Sequence, residues 1–168
     1  MAALALSELP AGSDVFIDAN IFIYGLTPQS SEATDFLRRC SREEVYGVTL
    51  FEIVNEATHR FMLAEAVSKG DVERANAKTL GRRPEVVRNL TEYWVTTRRI
   101  LGLNLLFLAT EREVLIQAHQ ERQTAGLLTN DSMIVACMRN LGLERLASND
   151  GSFDRVPGIQ LYSPTDVS

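Results

Sequence analysis

Lysine is almost missing from this chain: of 17 basic residues among 168, 15 are arginine and only Lys69 and Lys78 are lysine. No Gly-rich, Lys-containing phosphate loop can be drawn from such a sequence. Both lysines lie mid-chain, so a receiver-type phosphoacceptor domain lacks the lysine it needs at the end of a late strand. Cysteine is equally scarce. Cys40 and Cys137 fall inside helical patterns with no partner at metal-ligand spacing, and read as buried small hydrophobes of a reducing cytoplasm. The two histidines, His59 and His119, have no metal-spaced partner either, and read as surface or packing residues. No apolar run approaches the ~20 residues that span a bilayer. The opening MAALALSELPAG is apolar but has no basic flank, and Ser7-Glu8 interrupts it, so it makes a poor signal peptide. A soluble, cytoplasmic protein with no membrane partner is expected. A net charge of −5 supplies no global basic field of the kind that advertises nucleic acid.

What is present is ordinary globular composition, 45% hydrophobic and 23% charged, in a length that suits one domain spanning 1–168. Apolar periodicity alternates between short strand-like runs and helical stripes, the pattern of an α/β fold with a mostly parallel sheet. Strands are expected at 15–17, 45–48, 103–108, 145–147 and 159–162. Helices are expected at 31–40, 50–67, 111–120 and 129–141, the last closed by Gly142. The region 71–101 reads as a helical elaboration interrupted at Gly81-Arg82-Arg83-Pro84. There is no internal repeat and no low-complexity tract.

Four acids recur where a strand stops or a helix begins: Asp18 in VFIDAN, Glu52 in VTLFEIV, Asp131 in LLTNDSMIV and Asp150 in LASNDGSF. Each has a bland explanation. Asp18 is a natural N-cap. Thr49-Leu50-Phe51-Glu52 has the form of a capping box, with Thr49 as N-cap. Asp131 is a first-turn acid favoured by the helix dipole, and Asp150 sits in a turn-like Ser-Asn-Asp-Gly. Yet in a parallel α/β sheet strands end and helices begin along one edge, where ligands bind, so the four are brought towards one another. Ionised carboxylates crowded together without a cationic side chain call for a hard, oxygen-seeking ion, Mg²⁺ or Mn²⁺. Asn20 and Ser148 are polar neighbours able to orient a ligand or a water, and Asp154 is a candidate further ligand or a partner of Arg155.

Taken in order, these residues resemble the PIN-domain family, and within it the VapC-type toxins of prokaryotic toxin–antitoxin pairs. The segments that carry the likeness are Val15-Phe16-Ile17-Asp18-Ala19-Asn20-Ile21, Leu128-Thr129-Asn130-Asp131-Ser132-Met133-Ile134-Val135-Ala136, and Ala147-Ser148-Asn149-Asp150-Gly151 running on to Ile159. The resemblance implies a three-layer α/β/α sandwich in which Asp18, Glu52, Asp131 and Asp150 form the family's acidic quartet, catalytic and metal-holding. It also implies that Asn20 and Ser148 match the polar residues beside its first and last acids. Ser152 stands where many relatives carry an extra acid, a gap that Asp154 is placed to compensate.

By the same resemblance the expected activity is metal-assisted hydrolysis of RNA phosphodiester bonds, with no side-chain nucleophile. The expected partners are the RNA substrate, a small antitoxin protein and a second copy of the chain in a homodimer. Arg82 and Arg83, with Arg88 or Arg38-Arg39, are candidates for contacts to the RNA backbone, set against the alternative of an ordinary charged face. Two other readings stand beside the toxin. One is a non-catalytic or RNA-processing PIN-like module without an antitoxin. The other is a phosphatase of the Asp-x-Asp type, which Asp18-Ala19-Asn20 does not match.

Overall fold

Six short strands carry the fold: β1 (Leu4–Ala5), β2 (Asp14–Ile17), β3 (Tyr46–Leu50), β4 (Leu105–Leu108), β5 (Arg145–Ala147) and β6 (Gln160–Ser163). They pair in the order β1-β6-β5-β2-β3-β4, and every pairing is parallel. These coordinates are a computed structural model that describes residues 3–167, so Met1, Ala2 and Ser168 lie outside the described residues. Val15, Phe16 and Ile17 are wholly buried, as expected of a central strand covered on both faces.

Among the described residues eight α-helices connect the strands. They are α1 (Ala19–Leu26), α2 (Ser31–Ser41), α3 (Phe51–Ser68), α4 (Ala77–Gly81), α5 (Pro84–Asn89), α6 (Glu92–Leu101), α7 (Arg112–Ala125) and α8 (Thr129–Leu141). From β2 the chain moves outward to β3 and β4, then returns across the sheet to β5 on the other side of β2. Right-handed crossovers running in opposite directions place their helices on opposite faces, which yields three layers. It also makes the carboxyl end of β2, between β3 and β5, the point where the topology reverses and a ligand crevice opens.

One sequence expectation needs correction. Thr49 is not an N-cap: it continues β3 opposite Phe107, and its buried hydroxyl donates to the Ile17 carbonyl at 3.0 Å. That bond ties β3 to the end of β2, and Thr49 stays within the strand, one residue before the N-cap of α3. Leu50 therefore caps α3 without a side-chain bond, and Glu52 is the second helical residue, not the third. The N-cap reading of Asp18 holds, its carboxylate accepting the Ala19 amide at the start of α1, although the continuous apolar run Ile21, Phe22, Ile23 and Tyr24 has no amphipathic spacing to mark the helix's extent. The edge strand β1, which pairs with β6 and brings Leu6 and Leu9 into the core, was not anticipated.

Packing fixes the position of α1, which starts at the site. Gly25 lies so close to α2 that a Cβ there would stand 2.9 Å from the Ala33 carbonyl oxygen and 2.7 Å from Leu37 Cδ1. The elaboration at 71–101 resolves into α4, α5 and α6. Leu80, Val86 and Leu90 join Leu63, Ala66 and Val72 in a second apolar cluster beside the main core. Pro84 begins α5, where its missing N–H is not needed.

Candidate active site

Asp18 follows β2 directly and is 7% exposed. Its carboxylate is held on every side. Oδ1 accepts the Ala19 amide at 2.7 Å, while Oδ2 accepts the Ser148 hydroxyl at 2.6 Å and Asn20 Nδ2 at 2.6 Å. Ser148 follows β5, the neighbouring strand, and is fully buried. Its oxygen in turn accepts Asn20 Nδ2 at 3.1 Å and the Asp150 amide at 3.0 Å. Asn20 completes the lattice by accepting the Asn149 amide at 3.0 Å. The strand ends of β2 and β5 are thus bonded through side chains, and the loop carrying Asp150 is oriented by them. Asp150 itself caps a short 3-10 turn by accepting the Ser152 amide at 2.8 Å.

Asp18, Asp131 and Asp150 line one open groove of about 340 Å³ together with Asn20, Ile23, Tyr24, Glu56, Arg60 and Asn149. Asp131 enters from the first turn of α8. Burial pushes the Asp18 carboxyl up to about 6, against the lowering effect of the Ser148 and Ala19 bonds, and the charges of Glu56 and Asp131 add to the rise. Burial likewise raises Asp131, followed by the charges of Asp150 and Glu56. Asp18 and Asp131 therefore each sense other carboxylates of the groove.

Glu52 occupies a different place from the one the spacing suggests. It is not among the residues lining the groove. Its Oε2 is buried without a hydrogen-bond partner. The Cys137 thiol, raised first by burial, is raised further by the Glu52 charge, which puts Glu52 on the side of α8. The carboxylate of α3 that lines the groove is Glu56, whose Oε2 accepts Asn130 Nδ2 at 2.5 Å. Sequence reasoning missed Glu56, although a signal was available: it lies four residues after Glu52, on the same helical face.

Asp154 is exposed and does not line the groove, and Arg155 donates to the Gly126 carbonyl at 3.0 Å instead of pairing with it. The proposed RNA-contact arginines are mostly occupied. Arg83 donates to the Asp71 carbonyl and pairs with Glu85 at 3.2 Å, in a hollow that shares no lining residue with the acidic groove. Arg38 pairs with Asp35, and Arg39 binds the carbonyls of Leu6 and Leu9. Arg82 is exposed in the helical elaboration.

Among the described residues no three His, Cys, Asp or Glu side chains converge as a ready metal centre. The groove nonetheless fits a hard divalent cation in its chemistry. Its carboxylates and amide oxygens are hard donors, and the charges of Asp150 and Glu56 act on Asp131. Against the expectation of no cationic side chain, Arg60 also lines the groove, in no ion pair among the described residues.

The sheet order and this acidic switch-point crevice define the class of protein, and comparison with known families agrees. The PIN domain model matches residues 15–159, so the chain belongs to the PIN domain family. Among solved structures it is similar to VapBC2 from Rickettsia felis bound to a DNA fragment from their promoter, at TM-score 0.58 and 15% identity, covering 90% of this chain and 98% of that one. It is also similar to VapC20 from Mycobacterium tuberculosis, a sarcin-ricin loop cleaving toxin, at TM-score 0.56 and 14% identity, covering 85% and 95%. A toxin–antitoxin complex from Klebsiella pneumoniae gives TM-score 0.57 and 16% identity over 91% and 99%. At these identities the likeness is one of fold. No curated protein matches the chain.

Proposed function

We propose that this protein is a divalent-metal-dependent endoribonuclease and the toxin of a type II toxin–antitoxin pair. The observation that carries the reading is the groove at the carboxyl end of β2, where Asp18, Asp131, Asp150 and Glu56 gather in a chain of the PIN family. Asp18, Asp131 and Asp150 would hold Mg²⁺ or Mn²⁺, with Glu52 or Glu56 as the fourth carboxylate. When bound, such an ion supplies charge neutralisation at the phosphate and acidifies the attacking water.

The chain's own residues do the rest. Ser148 and Asn20 fix the Asp18 carboxylate by donating to the same oxygen, so its other lone pairs point in a set direction. Asn130 holds Glu56 at the groove wall, where the carboxylate is placed to accept a proton from water. No serine, cysteine or lysine lines the groove, which agrees with direct hydrolysis rather than a covalent intermediate.

RNA as substrate rests on the family and on the sarcin-ricin loop cleaving activity of the similar VapC20. An antitoxin partner rests on the two similar structures that are toxin–antitoxin complexes. A homodimer rests on the family resemblance and on the exposed apolar Leu115 and Ile116 of α7. A cytoplasmic location agrees with two free cysteines, and among the described residues no helix is long and apolar enough to cross a membrane.

The test is cleavage of a mixed-sequence single-stranded RNA in Mg²⁺ or Mn²⁺ by wild type and Asp18→Asn, with an EDTA control. Cutting that needs the metal and disappears in Asp18→Asn is expected. Correctly folded protein that cuts none of several RNAs would instead favour the non-catalytic module.

A further inference from the structure

The acidic groove does not end at its carboxylates. Asn20, Ile23, Tyr24 and Arg60 line it and also line a second hollow of about 400 Å³, whose other residues are Gln29, Leu63, Ala64 and Ala75. The two hollows are therefore one continuous trough running from Asp150 past Tyr24 and Arg60 to the start of the helical elaboration. Arg60 is the only cation among the described residues lining the acidic part. It lies four residues beyond Glu56 on the same face of α3, yet none of the ion pairs among the described residues uses it. Arg38, Arg39, Arg83 and Arg139, by contrast, are all held by carboxylates or carbonyls. Tyr24 is half-buried against the core and turns its remaining surface to the trough.

We propose that Arg60 and Tyr24 form a nucleotide subsite for single-stranded RNA next to the acidic centre, Arg60 binding a backbone phosphate and Tyr24 stacking on the adjoining base. This deepens the nuclease reading and rests on it for the identity of the ligand. A free guanidinium beside a row of carboxylates is matched to a polyanion that must approach those carboxylates. It supplies two parallel donors to phosphate oxygens where every other lining side chain is neutral or negative. An aromatic ring one step along the trough accepts any base by its face, which requires the base to be unstacked and hence single-stranded. Ala64 and Ala75, two small side chains, line the same hollow as the ring.

The experiment is fluorescence anisotropy with a short labelled mixed-sequence single-stranded RNA in Ca²⁺, with intactness of the RNA checked on a gel. Arg60→Ala should weaken binding about tenfold and lower the slope of log affinity against log salt by about one. Arg60→Lys should recover only part of the loss, because it keeps the charge without the fork. Tyr24→Leu should weaken binding about fivefold while Tyr24→Phe binds like wild type. Phe keeps the ring and loses only the hydroxyl, whereas Leu loses both, so an equal loss in the two would assign the effect to the hydroxyl and overturn stacking as the role of Tyr24, its half of the subsite. Wild-type affinity and salt slope in Arg60→Ala would overturn the other half, as would wild type that binds no RNA. Cleavage in Mn²⁺ read alongside keeps the two readings apart. Arg60-dependent binding without any cleavage upholds the subsite and sinks the nuclease, whereas Asp18-dependent cleavage by an unimpaired Arg60→Ala sinks the subsite alone.

Discussion

Ser148 and Asp18 are 130 residues apart in sequence and 2.6 Å apart in space, the serine hydroxyl donating to the aspartate's Oδ2. The bond spans adjacent parallel strands, so Ser148 positions Asp18 only once the sheet has formed. Removing it leaves Oδ2 with Asn20 alone and frees the Asp150 amide from its acceptor. Ser148→Ala should therefore keep the fold but lower metal-dependent RNA cleavage by about 10–100-fold, the usual effect of losing a partner that orients a ligand. A loss seen mainly as weaker Mn²⁺ affinity, measured by calorimetry, would mark a positioning role. Unchanged activity and affinity would remove Ser148 from the site.

Glu56 carries the second prediction. Glu56→Gln retains length and keeps an oxygen for Asn130, so stability should change little. Cleavage in Mn²⁺ should fall roughly 10–100-fold if the carboxylate holds the ion or takes a proton. The exposed His59, on the same helix, serves as control: His59→Ala should cut like wild type.

Glu52 makes the contrasting case. A buried carboxylate oxygen without a donor costs about 1–3 kcal/mol. Glu52→Met, similar in length and without a polar atom, should raise the melting temperature in EDTA by roughly 2–12 °C for a chain of this size. Added Mn²⁺ should then stabilise wild type more than the variant if Glu52 helps to hold the ion. A melting temperature that falls in EDTA would mean that Glu52 is already satisfied.

The fold was legible because its strands are short continuous apolar runs between helical stripes, and all four acids sit where those patterns change. Asp18, Asp131 and Asp150 line one groove. The ambiguity around Glu52 arose from the capping-box spacing, which is local. Whether Thr49 caps a helix depends on the Ile17 carbonyl, a contact from another strand that no local pattern contains. The start of α1 was signalled by Asp18 as an N-cap, but its extent was not legible because the segment is apolar on all sides and its periodicity is weak. The free state of Arg60 was illegible for the same reason: fifteen arginines look alike until the structure shows which of them are tied down.

The C-terminal tail locks α2 in a way that predicts local opening. Asp166 accepts the Ser30 and Ser31 hydroxyls and the Ser31 and Glu32 amides, while Glu32 accepts the Thr165 amide and hydroxyl in return. The Ser30 bond, foremost, holds the Asp166 carboxyl down at about 2. Asp166→Ala should leave the Ser31 and Glu32 amides without acceptors. Their hydrogen exchange should speed up selectively, while amides of β2 exchange as in wild type. Uniformly faster exchange would mean that the lock supports the whole fold instead.

Glu65 links α3 to the helical elaboration and yields a pH-dependent prediction. Its buried side chain accepts Lys69 Nζ at 2.5 Å and the Thr91 and Tyr93 amides at 2.8 Å, so it caps α6 from another helix. Burial alone would raise the carboxyl, but the Lys69 bond and the backbone amides together bring it down to about 2 from an ordinary 4.5. A carboxylate depressed in the folded state contributes stability that is fully present above its unfolded pKa. That contribution is lost as pH falls towards the folded one. Glu65→Ala should lower the melting temperature by about 6–12 °C near neutrality, from roughly 3 kcal/mol of stranded buried amides and lost pairing. The gap between wild type and variant should hold constant above pH 5 and narrow between about 4.5 and 2. A gap that is independent of pH would show that the cost comes from the cavity and not from the charge. Glu65→Gln fills the space but sets an NH2 against one of the donors the carboxylate accepted, so its own loss should lie in the lost acceptor and not in the cavity.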